Sequence, residues 1–302
     1  MPSDPEETQD YNELPIDSTT TTTIVPFNID NLPPSFQNFL KDNAIDPQIY
    51  TVVDLPRYIR LNTHLKNLPT LEELKNQLDT EQVWQVKEGI FGFLHAKQRL
   101  VDVEAYKSHK IFGIDLSSAM AVDALELQIN DQVLDLCCAP GAKLCMIANL
   151  LGNDGYGTVT GVDIASHRLA TCRSMVKKYN VGNRIRLFEA DGTTFQIPPP
   201  ARVGGRVIFA DDHDEPPVTK KRRKNDSDCI IKKPFWASKL LRFDTQVASC
   251  LYDKVLVDAE CTHDGSISHI LKYEKWGWDA FEKNFMNPDR LSTICELQVK
   301  DI

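Results

Sequence analysis

The stretch VLDLCCAPGAK, from Val133 to Lys143, decides the fold that we expect for this chain. Its apolar run ends at Pro140-Gly141, and a helical stretch follows up to Leu151. A continuous apolar run bounded by turn residues is typical of a strand buried on both faces of a sheet. The stretch has a single glycine and matches neither the GxGxxG pattern of dinucleotide sites nor the P-loop pattern. A Pro-Gly turn before a helix still lets backbone N–H groups face a ligand carboxylate.

Strand-like and helical segments alternate after this stretch. We expect strands at 158–165, 184–191 and 254–260, and a helix at 167–179 between the first two. This alternation predicts right-handed βαβ units and a parallel sheet, so the predicted fold class is α/β. In an open α/β sheet, ligands bind at the carboxyl ends of the strands.

The residues before 111 follow a different pattern. Apolar residues at 36–40 have helical spacing, and the segments 55–62 and 83–94 are typical of strands. Thr70 and Glu73 form a capping box, which predicts that a helix starts there. These features indicate a small α+β module.

Composition divides the chain into parts. Residues 1–30 are acidic and have no apolar segment, so we expect a disordered tail and no signal peptide. Residues 31–110 would form a helix and the α+β module, and residues 111–302 the α/β domain. Inside that domain, residues from about 201 to 234 are rich in charge, Pro and Gly, which predicts a mostly disordered insertion. Its basic block, Lys220–Lys224, could be a nuclear-import signal, a nucleic-acid arm or only a solvated loop.

The overall composition disfavours several classes of protein. The formal net charge of -9 argues against binding nucleic acid by bulk charge alone. No apolar run approaches the ~20 residues that a membrane span needs, so we expect no membrane partner. The eight cysteines include no Cys-x-x-Cys pair, which predicts neither a metal site nor a disulfide framework and favours a reducing, intracellular compartment.

Two carboxylates stand at the ends of predicted strands. Asp163 ends the second strand, where a carboxylate can accept both hydroxyls of a ribose, and Asp191 ends the third, where it can lie beside an adenine. Together with the Pro-Gly turn, they make a site that suits S-adenosylmethionine. The alternative is that both aspartates only cap the helices that follow them.

Several segments, in order, resemble the Nol1/Nop2/Sun family of RNA cytosine-5 methyltransferases. LPRYIRLNTHLKNLPTLEELKNQL resembles the family's RNA-recognition module, and IFGIDLSSAMAVDAL resembles the segment before its first sheet strand. LDLCCAPGAK, VDIA, EADG and VLVDAECTHDGS resemble its cofactor motif, its second and third motifs and its motif four. The resemblance covers roughly residues 32–200 and 250–302. It implies a Rossmann-like S-adenosylmethionine methyltransferase sheet preceded by a small RRM-like module.

The resemblance implies roles for individual residues. The segment from Ala139 to Lys143 would hold the methionine end of the cofactor, Asp163 the ribose and Asp191 the adenine. Asp258 would face the target base, and Cys261 would assist product release. The cofactor-binding residues that we predict are Cys138, Ala139, Pro140, Gly141, Ala142, Lys143, Asp163, Arg168, Asp191, Gly192 and Asp258. The predicted catalytic residues are Cys261 and Asp258, and we predict no metal.

The implied reaction explains why a cysteine and a carboxylate are needed. A thiolate adds to C6 of cytosine, C5 then takes a methyl group, and loss of the C5 proton and of the thiolate restores the ring. The reaction needs a cysteine with thiolate character and a group near N3, a natural role for Asp258. The expected partner is RNA, as tRNA or rRNA, whose base must leave its stack.

The sequence departs from the family pattern at two places. Glu260 replaces the proline of Asp-Ala-Pro-Cys, and we expect its charge to raise the pKa of Cys261 and the loop to be less rigid. The Thr-Cys-Ser motif, which carries the family's nucleophile, does not occur, and we expect Cys295 to be a core residue of a helix. We therefore expect a chain without the family's C-terminal strands, with the strand at 254–260 at an exposed edge. The alternative to an enzyme is a protein that binds cofactor and RNA without turnover, which we expect of this exact chain.

A few side chains have two interpretations. Arg57 and Arg60 could contact RNA, although strand alternation would place them on opposite faces of the sheet. Trp276 and Trp278 could stack on bases or anchor the segment after motif four. The thiol of Cys138 lies in an apolar run, where packing is more common than chemistry.

Overall fold

The computed structural model describes residues 27–52, 54–204, 206–207, 233–241, 251–262 and 265–300. They divide into two compact units, with the boundary between residues 53 and 54. The predicted tail up to residue 26, the basic block Lys220–Lys224 and most of the predicted insertion lie outside the described residues.

The first unit contains the helix predicted from apolar spacing. Helix α1 spans Pro34–Asp42, between 3-10 turns at Ile29–Asn31 and Pro47–Thr51. It buries Phe36 and Leu40, and the Phe36 ring lies 5.8 Å from the ring of Tyr50. The prediction of a helix with this buried face is confirmed.

The second unit starts with a four-stranded antiparallel sheet of order β2-β3-β1-β4. Its elements, in chain order, are β1 (Arg57–Leu61), α2 (Leu71–Leu78), β2 (Val83–Lys87), β3 (Ile90–Phe93), α3 (Glu104–Lys107) and β4 (Ile111–Gly113). The predicted capping box is present, because the Glu73 N–H donates to the Thr70 side chain and the Glu73 carboxylate accepts from the Thr70 N–H. Helix α2 buries Leu74 and Leu78 in the core of this sheet.

A second, five-stranded sheet follows, of order β10-β7-β6-β5-β11. Its region comprises α4 (Leu116–Asp123), β5 (Gln132–Leu136), α5 (Ala142–Leu151), β6 (Thr158–Asp163), α6 (Ser166–Lys178), β7 (Ile185–Glu189), β8 (Arg202–Val203), β9 (Arg206–Val207), β10 (Trp236–Ala237) and β11 (Lys254–Val257). The four strands predicted from the sequence, β5, β6, β7 and β11, pair in parallel, and β10 is antiparallel to β7. Among the described strands β11 lies at one edge, as expected. The start of the predicted insertion forms the short β8–β9 hairpin.

The core of this sheet lies on both faces of β5 and β6, whose residues are buried throughout. One face packs on α5 and α6, and the other holds Leu134, Leu136, Val162 and Phe188. Gly161 of β6 is needed for this packing, because a Cβ atom there would lie 2.8 Å from the Cys138 sulfur and 2.9 Å from Leu144. The sheet therefore brings the segment after β5 directly over β6.

A buried polar network joins the small sheet to α5. Arg60 is 4% exposed, and its guanidinium lies 3.9 Å from the ring centroid of Phe112. The guanidinium also donates to the side-chain carbonyl oxygen of Asn149 at 3.1 Å. The Asn149 amide donates to Asn62, which in turn donates to the Tyr179 carbonyl. Burial lowers the pKa of Arg60 to about 10. The prediction that Arg60 could contact RNA is wrong, because both faces of β1 are covered at this position.

Three helices complete the described chain: α7 (Ile267–Trp276), α8 (Trp278–Phe285) and α9 (Pro288–Lys300). The rings of Trp276 and Trp278 lie 5.5 and 6.4 Å from the ring of the buried Tyr273. These contacts agree with the anchoring interpretation of the two tryptophans. Cys295 is exposed on α9, so its predicted core position is wrong.

Candidate active site at the strand ends

The loop between β5 and α5 has a backbone that favours glycine at its last position. Gly141 adopts φ +111°, and a Cβ atom there would lie 3.3 Å from both the Cα and the sulfur of Cys172. A larger residue would be strained by its backbone and crowded by α6. The first helical hydrogen bond of α5 joins the Cys145 N–H to the Gly141 carbonyl, so the preceding N–H groups belong to the open helix start.

Asp163, at the end of β6, holds this loop. Its carboxylate accepts hydrogen bonds from the N–H groups of Ala139, at 3.2 Å, and Ala165, at 3.0 Å. Arg168 lies 3.8 Å from the same carboxylate and donates to the Ala139 carbonyl at 3.0 Å. Asp163 and Arg168 therefore fix the position of Ala139, and the carboxylate retains lone pairs for a further donor.

Asp191 caps the turn that follows β7. Its carboxylate accepts from the Thr193 N–H at 2.9 Å and from the Thr193 hydroxyl at 2.7 Å, and Gly192 begins the 3-10 turn. Asp191 therefore caps the turn that follows it, as the alternative interpretation of this residue predicted. The side chain is exposed at the same end of the sheet as Asp163.

Two predicted residues from distant motifs meet at the ends of β5 and β11. The Lys143 ammonium donates to the Asp258 carboxylate at 2.7 Å, across 115 positions of sequence. The Asp258 N–H donates to the Leu136 carbonyl at 3.4 Å, which extends the β5–β11 ladder by one step. The parallel register therefore positions both side chains at the carboxyl ends of β5 and β11.

Sequence reasoning missed a fourth aspartate, Asp135. Its side chain is fully buried in β5, and neither carboxylate oxygen has a hydrogen-bond partner among the residues that the structure describes. Burial raises the pKa of Asp135 well above its usual value, Asp258 and Asp163 raise it further, and Lys143 opposes them. The signal was an acid inside an otherwise apolar strand, which is rare without a specific role.

Comparisons with known proteins identify the sheet that carries these residues. Residues 122–209 match the family described as 16S rRNA methyltransferase RsmB/F. Over 95 residues the chain is 36% identical to a 28S rRNA (cytosine-C(5))-methyltransferase of Mus musculus and 35% identical to the 28S rRNA (cytosine(4447)-C(5))-methyltransferase of Homo sapiens. Through this region the chain resembles the Nol1/Nop2/Sun family of methyltransferases. Each match covers 31% of this chain and 11% of the relative.

One solved structure shares the fold of a larger part of this chain. The crystal structure of PH0851 has a TM-score of 0.56 and 18% sequence identity, covering 88% of this chain and 47% of that one. A methyltransferase homolog protein from Pyrococcus horikoshii is 21% identical, with a TM-score of 0.41, over 54% of this chain and 58% of that one. At this identity the first likeness shows the fold alone, and it supports the predicted Rossmann-like methyltransferase sheet. This chain spans about half the length of the first structure.

The remaining predicted residues of the Nol1/Nop2/Sun motifs lie near the same edge of the sheet. The Cys138 side chain is buried, and a hydrogen bond with Cys172, followed by burial, raises its thiol pKa well above the usual value. Packing therefore accounts for the thiol of Cys138, and any ligand contact falls to its backbone. Cys261 is exposed after β11, whereas the following residues 263–264 lie outside the described part.

Glu260, the residue that departs from the Nol1/Nop2/Sun pattern, is not an uncompensated charge. Its carboxylate lies 2.8 Å from the Arg290 guanidinium, and its backbone carbonyl accepts from Gln298 at 2.8 Å. Arg290 therefore pairs with the charge of Glu260 beside Cys261, and the expected rise in the thiol pKa of Cys261 stays a prediction.

Within the described ranges, no cluster of three or more His, Cys, Asp or Glu residues could hold a metal ion. Among the same residues, no helix is long and apolar enough to cross a membrane.

Proposed function

We propose that this chain acts in methylation of C5 of cytosine in RNA, with Asp258 and Cys261 at the target base. The meeting of Lys143 and Asp258 at the strand ends, with Cys261 three residues further on, carries the proposal. The family supports an S-adenosylmethionine-dependent RNA cytosine-5 methyltransferase, and the 28S rRNA names of two relatives favour an rRNA substrate.

The strand ends fit S-adenosylmethionine by charge. Asp135, Asp163 and Asp258 place three carboxyl groups at one end of the sheet, and Asp135 has no hydrogen-bond partner among the described residues. A buried acid without a partner is costly, and a positively charged sulfonium or ammonium group nearby would offset that cost. The residues that would hold the cofactor are the backbone of 138–143, Asp163 with Arg168, and Asp191 with Gly192. The bound cofactor would supply an electrophilic methyl group.

The chain's own residues would activate the base. The Cys261 thiolate would add to C6, which moves electron density to C5, and after methylation loss of the C5 proton and of the sulfur would restore the ring. Lys143 would hold Asp258 in place, and Asp258 would stabilise the charge that develops near N3. The Cys261 thiol is exposed, as a nucleophile that meets a flipped base must be.

A second candidate is cofactor and RNA binding without turnover. It is favoured by the resemblance of Cys261 to the motif-four cysteine, for which the family implies assistance to product release and not attack on the base. In that case Cys261 would have only the release role that the resemblance implies. Nuclear import through Lys220–Lys224 stays a prediction under either candidate.

The test is incubation of the chain with rRNA and tritiated S-adenosylmethionine, with cytosine C5 label and cofactor affinity measured together. Under the first candidate, label appears with the original chain and disappears in Cys261→Ala, while cofactor affinity is unchanged. Label that persists in Cys261→Ala would contradict the assignment of Cys261 as nucleophile. No label from a folded chain that binds the cofactor would support the binding candidate instead.

A further inference from the structure

The loop that carries Asp258 and Cys261 follows β11 and has no regular secondary structure. Residues 258–262 adopt no helix or strand. The family pattern has a proline at the position of Glu260, and proline would fix φ near −65°. A glutamate does not restrict φ in this way, so contacts to Glu260 from other elements can contribute to the position of the neighbouring Cys261.

Helix α9 supplies two such contacts to one residue. The Arg290 guanidinium binds the Glu260 carboxylate, and the Gln298 amide binds the Glu260 carbonyl, each at 2.8 Å. The two α9 residues are eight positions apart, which places them on one side of the helix, about two turns from each other. Glu260 is therefore held by both its side chain and its backbone.

A side-chain cap defines the start of helix α9, close to Arg290. The Asn287 side chain accepts hydrogen bonds from the N–H groups of Asp289, at 2.9 Å, and Arg290, at 3.3 Å. Ile294, one turn further on, is 6% exposed and anchors the helix. The backbone of Arg290, which carries the guanidinium, therefore has a defined conformation.

The contact with Arg290 also balances charge beside the thiol. Glu260 directly precedes Cys261, and a neighbouring carboxylate disfavours a thiolate. Both side chains of the pair are partly exposed, at 29% and 53%. Water screens the interaction, so the effect of losing one charge on thiolate formation is about two- to threefold.

We propose that Glu260, Arg290 and Gln298 form a loop clamp, in which α9 positions Cys261 where the family pattern relies on proline. The clamp deepens the proposed function and rests on it for its catalytic meaning. Arg290 and Gln298 are positioning residues, since they act on the reacting groups only through Glu260.

The test measures iodoacetamide alkylation of Cys261 as a function of pH, a readout that needs no turnover. Trypsin releases Cys261 as the only cysteine of peptide 255–272, and Cys295 as the only cysteine of peptide 291–300, which serves as the internal reference. In Arg290→Met the second peptide begins at residue 284 and still holds a single cysteine.

Arg290→Met should slow alkylation of Cys261 near pH 7.5 about two- to threefold and move its midpoint to higher pH. Arg290→Lys should retain most of the rate, because it keeps the charge. Both Arg290→Met/Glu260→Gln and Arg290→Met/Glu260→Pro should recover the original rate, since no carboxylate is left unpaired. Arg99→Met, which removes a surface pair with Asp102 far along the chain, is the matched control and should change nothing.

The backbone half of the clamp is tested by Gln298→Leu. We expect the amides of residues 259–262 to exchange with deuterium several-fold faster, with the alkylation midpoint unchanged. Alkylation in Arg290→Met equal to that of the original chain, or a double variant as slow as Arg290→Met, would overturn the clamp even if methyl transfer is observed. Absence of methyl transfer with the alkylation differences intact would overturn the proposed function and leave the clamp standing.

Discussion

At the scale of single residues, Asp135 is the position where stability and function are opposed. Its folded-state pKa is raised mainly by burial, so the folded chain holds a proton that the unfolded chain releases above about pH 4. The cost of Asp135 to stability therefore grows as the pH rises from about 4 toward its folded pKa. Such a cost is expected where a group serves a ligand more than the fold.

Asp135→Asn should stabilise the cofactor-free chain at pH 7–8 by about 1 kcal/mol or more, because the amide has the same shape and no proton to take up. The gain should shrink toward pH 4. Affinity for S-adenosylmethionine should fall roughly tenfold, equal to ~1.4 kcal/mol, because an amide cannot release a proton to pair with the positively charged cofactor. Thermal unfolding across pH and titration calorimetry check both effects.

The control is Asp42→Asn, the same substitution at an exposed position of α1. It should leave both quantities unchanged. A less stable Asp135→Asn chain at pH 8 would contradict the account of Asp135.

At the scale of elements, the turn between β5 and α5 fixes the position of the proposed cofactor loop, residues 138–143. Gly141 combines a positive φ with close contact to Cys172 of α6, so this turn fixes α5 and α6 against each other. Asp163 and Arg168 then fix the Ala139 end of the same loop. The loop is thus held from β6 and from two helices.

Gly141→Ala should destabilise the chain by about 2–3 kcal/mol, since it adds crowding at 3.3 Å to a left-handed backbone strain of ~1–2 kcal/mol. It should also weaken cofactor binding, because the loop must shift. Gly89→Ala is the control: Gly89 has φ +72° with nothing within 4 Å of the added Cβ, so only the backbone strain applies. Urea unfolding and cofactor titration give the comparison, and equal losses in the two variants would refute the crowding argument.

At the scale of the whole molecule, one buried network of hydrogen bonds joins the small four-stranded sheet to a helix of the five-stranded sheet. Asn149 accepts from Arg60 and Thr63 and donates to Asn62, so it bonds to β1 and to the loop after it from the last turn of α5. Helix α5 begins at the proposed cofactor loop. The small sheet and the proposed cofactor site therefore share one element.

Asn149→Ala should destabilise the second unit by about 3–5 kcal/mol, because it leaves the buried Arg60 charge without its hydrogen-bond acceptor. Arg60→Met/Asn149→Ala should recover part of that loss, since the buried charge is gone. Denaturant unfolding followed by Trp fluorescence measures both. No recovery in the double variant would show that Arg60 has another acceptor of equal value.

The sequence by itself determined the features that depend on neighbours along the chain. The parallel strands, the helices between them and the Thr70–Glu73 capping box follow from spacing and from local hydrogen bonding, which neighbouring residues encode. The family motifs added the expectation that Lys143 and Asp258 belong to one site. Their 2.7 Å contact agrees with it.

Only the tertiary structure decided which side chains are buried and which charges are paired. Alternation along β1 predicted that Arg57 and Arg60 lie on opposite faces, but it did not predict which face α5 would cover. The contact with α5 made Arg60 a buried structural residue. Likewise, the burial of Asp135, the exposure of Cys295 and the pairing of Glu260 with Arg290 depend on elements distant in sequence. Burial and ion pairing are set by the sum of long-range packing contacts, and local spacing does not record those contacts.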